Sequence, residues 1–348
     1  MERLRSDLEN LGKIGRDPKG GISRPALSDQ DIEARIYVIE RMKEAKLKVY
    51  VDQGGNIIGI REGKVKEPFI TTGSHIDTVL NGGMFDGALG VIGGLEAIRE
   101  LNEEGVKTKL PIALIVFTDE EGNAFMPFAG SKYFAGLIDK NTLHSTEGKY
   151  EKITFGQALE RFLKKANMSP IERFSFPIAS HLELHVEQGP ILEAERKQIG
   201  IVTGIVGVYR IWMEFKGKQA HAGTTPMNMR SDPMIPASAT VTKVRESVLR
   251  WGKDLVGTVG YIQVSPNVVN VIPGYVKIGI DIRSLSRNDM LGVGKEIIDH
   301  AKEVSEKEGV KLNYETYLEE PALCDEKIIK TIEESVMELG YEFIKMPS

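Results

Sequence analysis

The sequence predicts an α/β fold in which one domain is interrupted by a second, smaller one. Three observations carry this expectation. Strand and helix patterns alternate over residues 47–166, the order becomes β-α-β-β-α-β from Gly204 onward, and after Pro321 a helix and a strand resume the first rhythm.

The elements follow in order. Met1 to Asn10 is a charged amphipathic pattern with no apolar signal core. Ser28-Asp-Gln-Asp31 has the form of a capping box and opens a helix running to about Lys46. Leu47 to Val51 and Asn56 to Arg61 alternate like strands around a Gly54-Gly55 turn. Pro68 to Gly73 reads as a strand, Ala88 to Leu101 as a helix, Leu110 to Thr118 as a buried strand and Phe155 to Ala166 as a helix. Such alternation favours a largely parallel sheet covered by helices. Strand 205–216, helix 232–251, strands 254–264 and 275–284, helix 288–308 and strand 311–318 then form the split βαβ arrangement, a ferredoxin-like antiparallel sheet with two helices on one face. The helix from Asp325 to Gly340 and the strand from Tyr341 to Met346 close the series. The boundaries expected are therefore 1–206 with 319–348 for the first domain and 207–318 for the inserted one.

At 348 residues, 41% hydrophobic and 27% charged, the chain has ample apolar material for about two packed cores at roughly 150 residues each. A net charge of −5 with interleaved signs argues against a nucleic-acid binder, which would carry a basic stripe. The single cysteine, Cys324, excludes an internal disulfide framework. No run reaches the ~18 apolar residues of a membrane span, so a cytoplasmic protein without membrane contact is expected.

Chemistry concentrates in a few polar, glycine-punctuated segments. Ser74-His75-Ile-Asp77 ends a strand, and Asp77 stands where a carboxylate can orient an imidazole; Phe85-Asp86-Gly87 follows on a loop. A surface His with a local Asp contact would look the same. Asp119-Glu120-Glu121-Gly122 closes an apolar strand, and three adjacent acids there are costly unless cations or solvent neutralise them. One acid can coordinate while its neighbour serves as a base, or the run is an exposed acidic turn. In His181-Leu-Glu183-Leu-His185-Val-Glu187-Gln188-Gly189-Pro190, period-two alternation sets Leu182, Leu184 and Val186 on one face, with His181, Glu183, His185 and Glu187 on the other. A metal site explains four ionisable groups on one face; an amphipathic edge strand also would. His221 lies on the small-residue loop Gly217–Pro226, and Asn270 and Arg283 supply an amide and a guanidinium, the latter suited to a carboxylate or to a salt bridge with Asp281. The glycines of Gly87-Ala-Leu-Gly90-Val-Ile-Gly93 are not a phosphate loop, because no Gly-Lys-Ser/Thr follows and the preceding acids would repel phosphate.

Taken together, in order and at these spacings, the segments resemble the hydantoinase/carbamoylase family of amidases, relatives of the two-zinc aminoacylase and dipeptidase group. The Glu183-Leu-His185-Val-Glu187-Gln188-Gly189-Pro190 stretch is the most specific, because the peptidase relatives usually place an acid where His185 stands. The resemblance implies a two-metal aminopeptidase-like α/β domain and an inserted lid and dimerisation domain. It implies His75, Asp86 and His185 on one cation, with Asp86 bridging to a second that Glu121 also holds. Glu120 would be the general base, Asp77 would buttress His75, and His221 would stabilise the developing oxyanion. Asn270, Arg283 and Gln188 would bind substrate. Two divalent ions (zinc, or manganese, cobalt or nickel) and a homodimer are implied in the same way.

The expected reaction is hydrolysis of a linear amide in an N-carbamoyl-L-amino acid or a related small ureido compound. Allantoate amidohydrolase and β-ureidopropionase are the alternatives within the family, and Val208-Tyr209 after Gly207 favours the carbamoylase over the allantoate branch. A dipeptidase or aminoacylase, or a non-catalytic binding protein, are the alternatives of other classes. In the family a Gly-Ala-Gly-His-Asp-type motif supplies a further ligand on the Glu121 side. The sequence ends at Lys345-Met-Pro-Ser348, so the chain is expected to be a fragment that binds the second metal poorly.

Overall fold

The computed structural model describes residues 2–252 and 255–348. The chain divides into two compact units, residues 1–188 and residues 189–348.

The first unit is built on a five-stranded sheet in the order Lys48–Val51, Ile57–Arg61, Ile112–Phe117, Phe69–His75, Ile178–Leu182. The sequence favoured a largely parallel sheet, but the sheet is mixed. The first two pairings are antiparallel, since the Gly54-Gly55 turn makes a hairpin, and only the last two are parallel. The helix Ala88–Glu103 crosses between the parallel neighbours Phe69–His75 and Ile112–Phe117, and buries Val91, Ile92, Leu95 and Ile98. The helix Asp29–Glu44 is capped by Ser28, whose side chain accepts from the Asp31 amide. Asp31 does not return the bond to Ser28; it accepts instead from the Leu27 amide at 2.8 Å. The amphipathic start of the chain is the helix Glu2–Leu11, with Leu8 and Leu11 buried.

The strand at Ile178–Leu182 corrects a second expectation. The alternating run was read through Glu187, yet pairing with Phe69–Thr72 ends at Leu182. Beyond that point the chain turns to lie over the Ala88–Glu103 helix. A Cβ at Gly90 would stand 2.4 Å from the Leu184 carbonyl, so the glycine permits this approach.

The second unit contains a four-stranded antiparallel sheet in the order Lys311–Glu319, Gly207–Lys216, Tyr275–Ser284, Leu255–Ser265. The helices Met234–Trp251 and Arg287–Lys307 cover one face, and Ile211, Met213, Phe215, Ile278, Ile280 and Ile282 alternate inward beneath them. This is the β-α-β-β-α-β module, with bounds within two residues of those expected. A separate small sheet joins Ile199–Ile205 to Ala322–Leu323 and, in parallel, to Phe343–Pro347. The sequence reading grouped these segments with the first domain, whereas contacts group them with the second unit. Among the described residues no helix is long and apolar enough to cross a membrane.

Candidate metal centre

The three parallel strands of the first unit run the same way, with Phe117 level with His75 and Leu182 level with Thr72, and the chemistry stands at their carboxyl ends, where open α/β sheets habitually bind ligands. His75 is the last residue of its strand, Thr118–Glu121 follow Phe117, and Glu183 follows Leu182. Asp86 arrives on the loop before the Ala88–Glu103 helix. That helix opens at Gly87 with φ +62°, and a Cβ there would lie 2.5 Å from the His75 carbonyl and 2.6 Å from its ring. Glycine is therefore required twice over, by conformation and by the imidazole packed against it.

His75, Asp86 and His185 converge so that one ligand atom from each lies within 4.8 Å of the others. His75 Nε2 is 3.9 Å and His185 Nε2 is 3.2 Å from the same oxygen, Asp86 Oδ1. The opposite nitrogens are held by main-chain carbonyls, His75 Nδ1 at 2.9 Å from the Asp77 oxygen and His185 Nδ1 at 2.9 Å from that of Val186. This is how a protein orients imidazole ligands: one nitrogen donates to a carbonyl, so that the other faces the site and offers its lone pair once a cation displaces its proton. Ligand atoms about 3–4 Å apart suit a cation with bonds of roughly 2.0–2.2 Å. The donor set fits a divalent ion.

The electrostatics agree. The Asp86 carboxyl is held below the usual range chiefly by its hydrogen bond with His185, and that bond raises His185 to about 9. Glu121 is pushed up by burial and by Asp86, with which it shares a hydrogen bond. Two carboxyls facing each other call for a cation or a shared proton.

Asp77 is fully buried, which drives its proton affinity well above the ordinary carboxylate range. It accepts from the amides of Glu120 and Glu121 at 3.4 and 3.2 Å, and its carboxylate lies 3.8 Å from His75 Nδ1. The His75 ring nitrogen is thus held by the Asp77 backbone, while its side chain organises the acidic loop. Burial pushes Glu120 up to about 7, opposed by two bonds from Ser131, amide to Oε1 at 3.1 Å and hydroxyl to Oε2 at 2.9 Å. Beside these groups lies a cavity of about 350 Å³, lined by His75, Glu120, Ser131, His181, Glu183 and the rings of Phe117 and Phe134, among others.

The remaining sequence candidates have other partners. Gln188 donates to Asp86 Oδ2 at 2.8 Å, so it steadies the carboxylate whose other oxygen faces both histidines. Asp119, the first acid of the triple run, adopts φ +54° and accepts from the amides of Ala124, Phe125 and Met126, which makes it the anchor of its own loop. His181 lies 2.9 Å from Thr71 Oγ1 and 3.6 Å from Glu183. In the second unit, His221 pairs with Val271 in a two-residue ladder, and the Ala222 amide donates to the Asn270 carbonyl at 3.0 Å. His221 and Asn270 are therefore neighbours there. Arg283 Nε donates to Asp281 Oδ1 at 2.7 Å, the salt bridge that the sequence held open. Ser131 was missed, because a serine on a short helix carries no signal without the fold.

The profile of peptidase family M20/M25/M40 matches residues 71–348. The chain belongs to this family. Over 357 residues it is 37% identical to an N-carbamoyl-L-amino acid amidohydrolase of Geobacillus stearothermophilus, covering 100% of this chain and 85% of that one. It is 34% identical to a ureidoglycolate hydrolase of Arabidopsis thaliana, over 97% of this chain and 73% of that one. A crystal structure of a hydantoinase/carbamoylase family amidase from Burkholderia multivorans superposes with a TM-score of 0.93 at 36% identity, covering 100% of this chain and 84% of the other. Within M20, then, the chain is a member of the hydantoinase/carbamoylase group of amidases.

Proposed function

We propose that this protein is a metal-dependent amidohydrolase that cleaves the carbamoyl group of N-carbamoyl-L-amino acids. The observation that carries the reading is the His75–Asp86–His185 donor set, with both imidazoles pre-oriented on backbone carbonyls and Glu120 beside it. In this reading those three residues would hold one divalent cation, and Asp86 and Glu121 would hold a second. Bound cations would supply a water of lowered pKa and polarise the scissile carbonyl. Imidazole and carboxylate donors suit zinc, manganese, cobalt or nickel.

The chain's own residues then have defined tasks. Glu120, held by Ser131, takes the proton of the attacking water on a carboxylate oxygen and passes it to the departing nitrogen. Water adds across the amide, giving the free amino acid and a carbamic acid that falls apart to ammonia and carbon dioxide. Asp77 keeps His75 and the Glu120–Glu121 backbone in register. To His221 we assign the developing oxyanion and to Asn270, Arg283 and Gln188 the substrate carboxylate, roles that rest on the family resemblance alone. A homodimer and a cytoplasmic location belong to the same proposal. Among the described residues the strand Leu255–Ser265 is an edge of its sheet, which supports self-association.

The test is ammonia release from N-carbamoyl-L-amino acids, N-carbamoyl-β-alanine, ureidoglycolate, allantoate and dipeptides, with and without added manganese or zinc. It is run beside a direct zinc-binding titration of the same protein, so that weak cation binding and a wrong substrate class give different results. Cation-dependent release from the carbamoyl amino acids, lost in Glu120→Gln, is the expected result. Turnover confined to dipeptides would overturn it, and the preferred ureido compound fixes the branch.

A further inference from the structure

Arg24 is 1% exposed and spends its guanidinium on the main chain. Nε donates to the Ile76 carbonyl at 2.7 Å, and one terminal nitrogen donates to the carbonyls of Leu11 at 2.9 Å and Ile14 at 3.1 Å. Its backbone is clasped to Thr78 in both directions. The Arg24 amide donates to Thr78 Oγ1 at 3.0 Å, the Thr78 amide donates to the Arg24 carbonyl at 2.9 Å, and Thr78 Oγ1 donates to the Ile22 carbonyl at 3.0 Å. The carbonyl just before Asp77 and the amide just after it are thus both tied to one residue.

That residue sits far from the chemistry in sequence but holds its hub. Asp77 is 0% exposed and touches three site residues at once, through its carbonyl to His75 and through its carboxylate to the amides of Glu120 and Glu121. Any rotation of the Ile76–Asp77 or Asp77–Thr78 peptides would move all three. A guanidinium is expensive to bury, and Arg24 has no ion pair among the described residues. Fixing carbonyls that would otherwise drift is what its planar donors accomplish here. Arg24 also precedes residues 71–348, the span that the family profile matches.

We propose that Arg24 is a positioning residue for the metal centre, which sets the Asp77 peptide and through it the geometry of His75, Glu120 and Glu121. This rests on the cation-binding reading above.

The test uses cation-free protein titrated with zinc against a chromogenic chelator, so that no turnover is needed. Arg24→Met and Thr78→Val should each weaken zinc binding by about 10–100-fold, the usual cost of losing support behind a ligand. Arg24→Lys, which keeps the charge and loses the fork, should recover part of the loss. In an Asp77→Asn background, adding Arg24→Met should cost less than it does in the wild type, because the carboxylate route to Glu120 and Glu121 is already weakened while the carbonyl route to His75 remains. Ile39→Ala, a core change in the Asp29–Glu44 helix, should lower the melting temperature and leave zinc affinity intact. Wild-type affinity in both Arg24→Met and Thr78→Val overturns the inference alone, as does full additivity with Asp77→Asn or an equal loss in Ile39→Ala. Should Arg24→Met not fold, the near-isosteric Thr78→Val decides. No zinc binding by the wild-type protein overturns both this inference and the metal reading.

Discussion

His185 Nε2 lies 3.2 Å from Asp86 Oδ1, and this contact decides where the proton of the cation-free site resides. The carboxylate raises His185 to about 9, so at neutral pH the imidazole is charged until a cation replaces its proton. Zinc binding near pH 7 should therefore release about one proton from this imidazole. Calorimetry in buffers of different ionisation enthalpy measures it, and a buffer-independent enthalpy would contradict the assignment.

The same pair predicts a stability profile. The folded value for His185 lies above the unfolded one, so its stabilisation is complete below about 6.5 and is lost as pH rises through about 9. The Asp86 carboxyl is shifted downward, so its contribution is present above the unfolded carboxylate value and fades only in acid. The cation-free melting temperature should fall between pH 6.5 and 9, and the His185→Gln variant should lack that slope. Thermal melts across this window, with and without zinc, distinguish the cases.

Glu120 is a base only when ionised, and burial lifts it to about 7. Bound cations would pull that value down, so the acid limb of kcat should have its midpoint at or below 7. Ser131→Ala removes a hydrogen bond that favours the charged form and should move the midpoint upward. Glu120→Gln should lower kcat by about 10²–10⁴ while retaining zinc. A pH–rate profile and a zinc titration test both halves.

Gly87→Ala places a methyl group against His75 in a left-handed backbone, at a cost of about 1–2 kcal/mol before any clash. The melting temperature and zinc affinity should fall together. A drop in stability with unchanged affinity would show that the His75 ring can yield without leaving its ligand position.

Arg283 separates two roles by kinetics. If it binds the substrate carboxylate, Arg283→Lys should raise KM about tenfold or more, since a charged hydrogen bond contributes about 1.5–3 kcal/mol, with the melting temperature nearly unchanged. If it serves Asp281 alone, stability falls and KM does not move. Steady-state kinetics beside a thermal melt read the difference.

Much of this was legible in the sequence because it is written in short-range patterns. The Tyr275–Ser284 strand and the Phe155–Ala166 helix have the bounds their periodicity gave, since alternation and capping are properties of neighbouring residues. The acids after Phe117 and the histidine ending its own strand stood out because a charge beside a buried run needs a reason.

Other features required the folded chain. The Ile178–Leu182 strand stops where pairing with Phe69–Thr72 stops, and its alternating sequence runs on regardless. Asp119 and Glu120 are adjacent and both acidic; only the loop geometry gives one to three backbone amides and the other to Ser131. The support that Arg24 gives to Ile76 and Thr78 joins segments about fifty residues apart, and no local signal marks it.

By itself the sequence determined the order of the elements, the ferredoxin-like module and the residue types able to bind cations, because these follow from local periodicity and side-chain chemistry. Tertiary structure decided which of those residues meet, which nitrogen each imidazole turns to Asp86, and which charges are buried. Those outcomes depend on strand pairing and packing between distant segments, where free energy is set by contacts that no short stretch of chain contains.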